Sequence, residues 1–391
     1  MNAEKKTQLC AAEEGRSVDR TGEEKSAEPT KTNEDLPKSP ASGLAAKTKT
    51  TQETRTQLDS KKKGIQKKRS RKKYGRSAPQ MLPSGALLMK KFEVVRMIGG
   101  GGFGQIYGAL DLHREQLVAV KVEPSEHDPG RMILEQKVLS TLSGKPFIPS
   151  ILGSGVFEEK FNFIVMELLG KNLSELRRRQ SSRRLSKASV FRIGQQATSA
   201  LRSLHEAGFI HRDVKPSNMC IGLHTKNRQI FLVDFGMCRQ FRTLKGDKRR
   251  PRRNPGFRGT VKYASLNVHD LKDQNVSDDF ISLYYGMIEL LTGSLPWRTR
   301  HDVAEVANCK RQMKLEDLNY EMPPAFREFY PLLIAFDPKK DTLLDYNKIM
   351  DICKRCLPEG VDEKAPYDWE SSSKKRKKKN EPSVSCEAVT Q

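Results

Sequence analysis

Asp213 and Asp234 stand 21 residues apart, each inside a short polar word: His211-Arg212-Asp213-Val214-Lys215-Pro216-Ser217-Asn218, then Asp234-Phe235-Gly236. Upstream lie Gly99-Gly100-Gly101-Gly102-Phe103-Gly104 and Val118-Ala119-Val120-Lys121. Carboxylate and amide oxygens are hard ligands for Mg²⁺, lysines neutralise phosphate charge, and a run without side chains lets backbone approach a polyphosphate. In this order and spacing the four words supply what phosphoryl transfer from ATP needs, a reaction that depends on positioning and electrostatics more than on covalent chemistry.

Each residue takes a role from that chemistry. Asp213 accepts or orients the proton of a substrate hydroxyl, and Lys215 neutralises the transferring phosphoryl group. Asn218 and Asp234 are the expected Mg²⁺ ligands, with Asp234 bridging the metal to the β- and γ-phosphates. Lys121 holds the α- and β-phosphates and needs a carboxylate to pin it. Glu135 is the choice, because Met132, Ile133, Val138 and Leu139 surround it at helical spacing. A lone glycine fingerprint also occurs in dinucleotide-binding folds, but there it joins a strand to a helix. Here it falls between two strand-like runs, which suits a flexible hairpin over phosphates.

The elements that must carry these residues follow from periodicity. Phe92 to Val95, Ile106-Tyr107, Leu117 to Val122 and Phe161 to Leu168 read as strands. Residues 132–142 have helical spacing, and from Val190 onward helices dominate to about Leu357. The expected fold class is α+β: a small β-rich lobe followed by a larger helical lobe, over residues 90–357. Residues 1–85 are rich in Lys, Thr, Ser, Glu and Gln and too poor in apolar residues to offset ordering entropy, so they are expected to be disordered, as are residues 371–391.

Charge and cysteine usage set the context. The net charge is +23, and 13 of these charges lie in the two tails. Another +8 sits in residues 234–265, beside the catalytic words. The basic runs at 61–73 and 374–379 are expected to be solvated tails, import signals or contacts for a polyanion such as a microtubule surface, because such tails attract acidic polymers of any kind. Interleaved stacking aromatics are missing, which argues against a dedicated nucleic-acid module. Seven scattered cysteines in a Lys-rich chain suggest reduced thiols and a cytoplasmic or nuclear location. The single Cys353-x-x-Cys356 pair cannot complete a zinc site. No apolar run reaches the roughly 20 residues that span a bilayer.

With these residues in view, the stretch 90–357 resembles the protein kinases, and two details resemble the casein kinase 1 group. Gly259-Thr260-Val261-Lys262-Tyr263-Ala264-Ser265-Leu266-Asn267 stands where most kinases carry Ala-Pro-Glu, and Asp278-Asp279-Phe280-Ile281-Ser282-Leu283 is similar to a helix start of that group. Within the group the chain is most similar to the tau-tubulin kinases, through Ile98 to Gly104, Phe257-Arg258-Gly259-Thr260, and Pro366-Tyr367-Asp368-Trp369-Glu370 in a domain-closing segment, 358–370.

The resemblance implies a bilobal kinase fold, a serine/threonine protein kinase activity, ATP and Mg²⁺ as cofactors, protein substrates and a monomer. It implies that Met166 guards the adenine pocket and that Glu167 and Leu169 bind adenine through their backbone. Ile98, Ile106 and Ala119 line the pocket from above. It further implies that Thr260 bonds toward Asp213 and Lys215, and that Asp279 braces the catalytic loop. Cys220, on the pocket floor, and Cys238 depart from the family pattern without removing catalytic charge. The basic segment suggests acidic or already phosphorylated substrates, because Arg pairs bidentately with phosphate. The alternative is a catalytically weak pseudokinase scaffold; such chains usually lack a counterpart of Lys121, Asp213 or Asp234.

Overall fold

A computed structural model describes residues 74–75, 77–126, 129–243, 246–362 and 364–370. Both basic runs and the tail beyond 370 lie outside the described residues. The first half is one antiparallel sheet. Its strands are β1 (Leu87–Leu88), β2 (Phe92–Gly100), β3 (Gln105–Asp111) and β4 (Gln116–Pro124) and, after helix α1 (Pro129–Thr141), β5 (Ile151–Phe157) and β6 (Phe161–Glu167). They run in the order β1-β2-β3-β4-β6-β5. Alternation builds this sheet: β2 buries Phe92 and Val94 and turns Glu93 and Val95 to solvent. β4 is buried almost end to end, because it lies centrally between β3 and β6. Leu82, Leu88, Tyr107, Val120 and Val165 close the small core.

The second half is helical. It holds α2 (Leu173–Arg179), α3 (Lys187–Glu206), the short strands β7 (Phe209–Ile210), β8 (Met219–Ile221), β9 (Ile230–Leu232) and β10 (Arg239–Gln240), then α4 (Leu266–His269), α5 (Val276–Thr292), α6 (Val303–Gln312), α7 (Leu315–Leu318), α8 (Phe329–Ile334) and α9 (Tyr346–Arg355). Local sequence sets the ends of the longer helices. Ser186 caps α3 by accepting from Ser189 N. Asn275 and Asp278 form a reciprocal capping box on α5, and Gly293 ends that helix in the left-handed region. Helix α5 is buried on nearly every side, with Asp278, Asp279 and Glu289 among its buried residues, and its Tyr284 ring packs with Phe326 and Phe329 in one aromatic cluster. It holds the loop of residues 211–218 through Asp279, which accepts from the His211 and Arg212 amides.

The packed chain starts earlier than the expected disordered limit at residue 85. Met81 and Leu82 are buried, and their amides donate to Gln105 Oε1 and to the Tyr107 hydroxyl, both inside the sheet. Two apolar residues in a Pro- and Ser-rich stretch carry no period. Only tertiary contact with a buried Gln and Tyr orders them. At the other end the segment expected to close the domain packs on α3. Tyr367 is buried, stacks on Trp369 at 4.4 Å and lies under the Arg192 guanidinium at 3.9 Å. Among the described residues no helix is long and apolar enough to cross a membrane.

Candidate active site

The hairpin of β2 and β3 carries the glycine run. Gly100 pairs with Gln105, and Gly101 N donates to Gly104 O at 2.9 Å, so the chain reverses within Gly101 to Gly104. A Cβ on Gly104 would stand 2.1 Å from Val122 O, so only glycine lets the hairpin press this closely on β4. Across the turn β4 presents Ala119 and Lys121 on one side. The register sets Ala119 opposite Met166 of β6.

Lys121 Nζ reaches Glu135 Oε2 at 2.6 Å and Asp234 Oδ1 at 2.8 Å. The helical spacing around Glu135 thus places its carboxylate on the lysine. Burial alone would lower the Lys121 pKa, but Asp234, Glu135 and Glu123 reverse the sign and keep it an ammonium. Burial would likewise raise Asp234, and Lys121 and then Arg131 hold it far below the usual carboxylate range. Asp234 sits at φ +66°, a strained conformation for a carboxylate residue and common where a functional group is aimed. Gly236 leaves room beside it. A Cβ there would meet Arg131 Nε at 2.6 Å and Glu135 Oε2 at 3.1 Å.

The catalytic loop is held from below. Asp279 of α5 accepts from His211 N at 2.7 Å and Arg212 N at 2.8 Å, while Arg212 takes φ +68°. The Arg212 side chain then donates to Met237 O and Cys238 O, tying the loop to the chain beyond Asp234. Buried His211 bridges Val233 O through Nε2 and accepts from Asp213 N through Nδ1, which fixes its tautomer. Asp213 is 6% exposed. Its Oδ2 accepts from Lys215 Nζ at 2.7 Å and its Oδ1 from Thr260 Oγ1 at 2.7 Å. Lys215 Nζ also donates to Thr260 Oγ1 at 2.9 Å, so the three side chains form a closed ring. Asn218 Nδ2 donates to Asp213 O at 3.0 Å, leaving the amide oxygen as the donor atom for a cation.

The chain carries the description of a protein kinase domain over residues 92–363. It is 39% identical over 298 residues to a putative casein kinase I of Caenorhabditis elegans, covering 74% of this chain and 86% of that one. It is 36% identical over 289 residues to a probable serine/threonine-protein kinase of Dictyostelium discoideum, covering 73% of this chain and 58% of that longer one. The chain belongs to the protein kinase family. Its β-rich first half and helical second half are the bilobal kinase fold.

The residues expected to line a nucleotide pocket lie along the same strands. Ile98 and Ile106 are half-buried on the hairpin strands, and Ala119 is buried on β4. Met166 and Glu167 end β6 and Leu169 follows. Glu167 N donates to Ser150 O and its side chain accepts from Lys226 Nζ. Cys220 on β8 is an inert thiol, pushed up to about 12 by burial, and burial raises Cys238 well above the ordinary thiol value too. Cys353 and Cys356 are both buried in the helical core, and among the described residues no cluster of three or more His, Cys, Asp or Glu could hold a metal.

Several functional neighbours were not visible in the sequence. Arg131 lies one turn before Glu135 and reaches Asp234 at 3.4 Å, and Glu123 lies 3.7 Å from both Lys121 and Arg131. Glu289 of α5 is a hub for Arg177, Lys262 and the Tyr263 hydroxyl. Lys310 of α6 donates to Val261 O, Ala264 O and His269 Nε2. Burial holds its ammonium down to about 7. The one signal for Arg131 was its i−4 spacing from Glu135, which puts both on one helix face.

Proposed function

We propose that this chain is an active, Mg²⁺- and ATP-dependent serine/threonine protein kinase of the tau-tubulin kinase-like branch, acting on acidic or already phosphorylated proteins. The observation that carries catalysis is the Asp213-Lys215-Thr260 ring beside the Lys121-Glu135-Asp234 chain of ion pairs. Every charge that the reaction needs is present, and each is held by a second group. Two protein oxygen donors, the Asp234 carboxylate and the Asn218 amide, suit Mg²⁺, which keeps waters and phosphate oxygens in its remaining positions. Bound Mg-ATP supplies the phosphoryl group and the Lewis acid. The chain's own residues do the rest: Asp213 orients the substrate hydroxyl and takes its proton, Lys215 sits over the developing phosphoryl charge, and Lys121, held by Glu135, fixes the phosphates.

The substrate preference rests on charge. Arg239, Arg252 and Arg258 stand near Arg212, whose pKa falls to about 10, first through its own burial and then through their repulsion. Asp273 pairs with Arg239 and Arg252 and leaves the group net positive. Phosphate is the ligand that such a group of guanidiniums fits best. A pseudokinase scaffold has no observation in its favour, since Lys121, Asp213, Asn218 and Asp234 are all present. A cytoplasmic or nuclear setting and tail contacts with a microtubule or another polyanion belong to the same proposal and rest on the tail charge.

The deciding experiment is transfer of labelled phosphate from ATP to casein and tubulin by the wild type and by Asp234→Asn. Transfer that vanishes in the variant supports the reading. Equal transfer by both, or none by a wild type that binds Mg-ATP and is offered phospho-primed casein, overturns it.

A further inference from the structure

Arg131 is charged, buried and incompletely bonded. Its side chain is 8% exposed. Nη2 lies 3.4 Å from Asp234 Oδ1, a long hydrogen bond, and Nε lies 3.7 Å from Glu123 Oε1. Both Arg131 Nε and Glu123 Oε1 are buried without a hydrogen-bond partner. The guanidinium carbon lies 3.5 Å from the centre of the Phe103 ring, in the turn of the glycine hairpin. One planar cation therefore touches the hairpin, helix α1 and the carboxylate expected to carry the metal. A guanidinium offers five donors in a rigid fork, and a phosphate oxygen is the acceptor that this fork lacks here.

We propose that Arg131 contacts the terminal phosphates of the bound nucleotide and, by its stack on Phe103, latches the glycine hairpin to helix α1. The proposal rests on the kinase reading above. Asp234 would hold a divalent ion, which would supply positive charge beside the phosphates, and the Arg131 fork, bonded to Asp234 only at 3.4 Å, would be available to the phosphate oxygens. The hairpin then closes on a triphosphate more firmly than on a diphosphate. Lysine would supply charge but neither the planar face nor the fork.

The test is calorimetric affinity for Mg-ATP, Mg-ADP and adenosine. The variants are Phe103→Ala and the double variant Arg131→Met with Glu123→Gln, which removes both buried charges together. In the double variant ATP should weaken at least about tenfold, the value of one charge-assisted hydrogen bond, ADP by less, and adenosine not at all. Phe103→Ala keeps every charge and should weaken ATP several-fold with adenosine unchanged. If the double variant does not fold, Phe103→Ala decides alone. ATP affinity within about twofold of wild type, or a parallel loss for all three ligands in a variant that still melts like the wild type, overturns the proposal. A wild type that binds none of the three overturns the kinase reading itself.

Discussion

Replacing Asp279 by Asn tests whether α5 holds the catalytic loop. The Asp279 side chain is 2% exposed and accepts from His211 N, Arg212 N and His205 Nε2 at 2.7, 2.8 and 2.9 Å. Burial would raise its pKa, yet the hydrogen bonds from the His205 ring and the His211 amide hold it below the ordinary value. An Asn amide must turn its NH₂ toward at least one of these donors. That loses one charge-assisted bond outright and removes the charge from the others. At about 1.5–3 kcal/mol for each such bond, the cost is about 3–5 kcal/mol. The same bonds hold Arg212 at φ +68°, a conformation that itself costs about 1–2 kcal/mol. A domain of this size loses about 2–4 °C in Tm per kcal/mol, so the variant should melt about 6–20 °C lower by circular dichroism. Misplacing Asp213 by about an ångström should lower kcat roughly 100-fold. The KM for ATP should stay within a few-fold, because Lys121, Glu135 and Asp234 do not touch Asp279. A Tm within 3 °C and a kcat within about threefold of wild type would refute the reasoning.

Reversing Arg249, Arg250, Arg252 and Arg253 of the basic segment 234–265 to Glu should raise KM for a phospho-primed peptide at least about tenfold and leave a neutral peptide within about twofold; equal effects on both would show that this segment does not select anions. Gly104→Ala forces a methyl against Val122 O and should cost about 2 kcal/mol or more and raise the KM for ATP; a wild-type melting curve would mean that the hairpin yields at no cost. Burial, with Lys310 and Arg311 beside it, lowers the His269 pKa from 6.5 to about 4. The fold therefore favours the neutral ring, and this stability is present above pH about 6.5 and lost as pH falls toward 4, by about 1–2 kcal/mol after solvent screening. His269→Gln should flatten the fall in Tm between pH 7 and 4.5, and parallel curves would count against it. Chelation of zinc should leave Tm unchanged, since Cys353 and Cys356 are buried thiols without further ligands among the described residues; a fall on chelation would reveal a metal.

The catalytic words were legible because phosphoryl transfer demands particular residue types at fixed backbone spacing. Asp213 to Asn218 is one loop, Asp234-Phe235-Gly236 one turn, and Gly99 to Gly104 one hairpin. Glu135 was legible too, since a helical period around a lone carboxylate points that carboxylate toward the preceding strand. The strand-rich first half and helical second half followed from period alone. Met81 and Leu82 were not legible, since aperiodic apolar residues become core only when Gln105 and Tyr107 offer acceptors. Nor were Arg131, Glu123, Glu289 and Lys310. In sequence each reads as an ordinary surface charge, and only the packing of α1, α5 and α6 against distant loops takes it out of water and gives it a partner. Local spacing determines which atoms can react. Tertiary structure decides which charges are buried, and burial is what turns a charge into a positioning device, because attraction between charges strengthens as water is excluded.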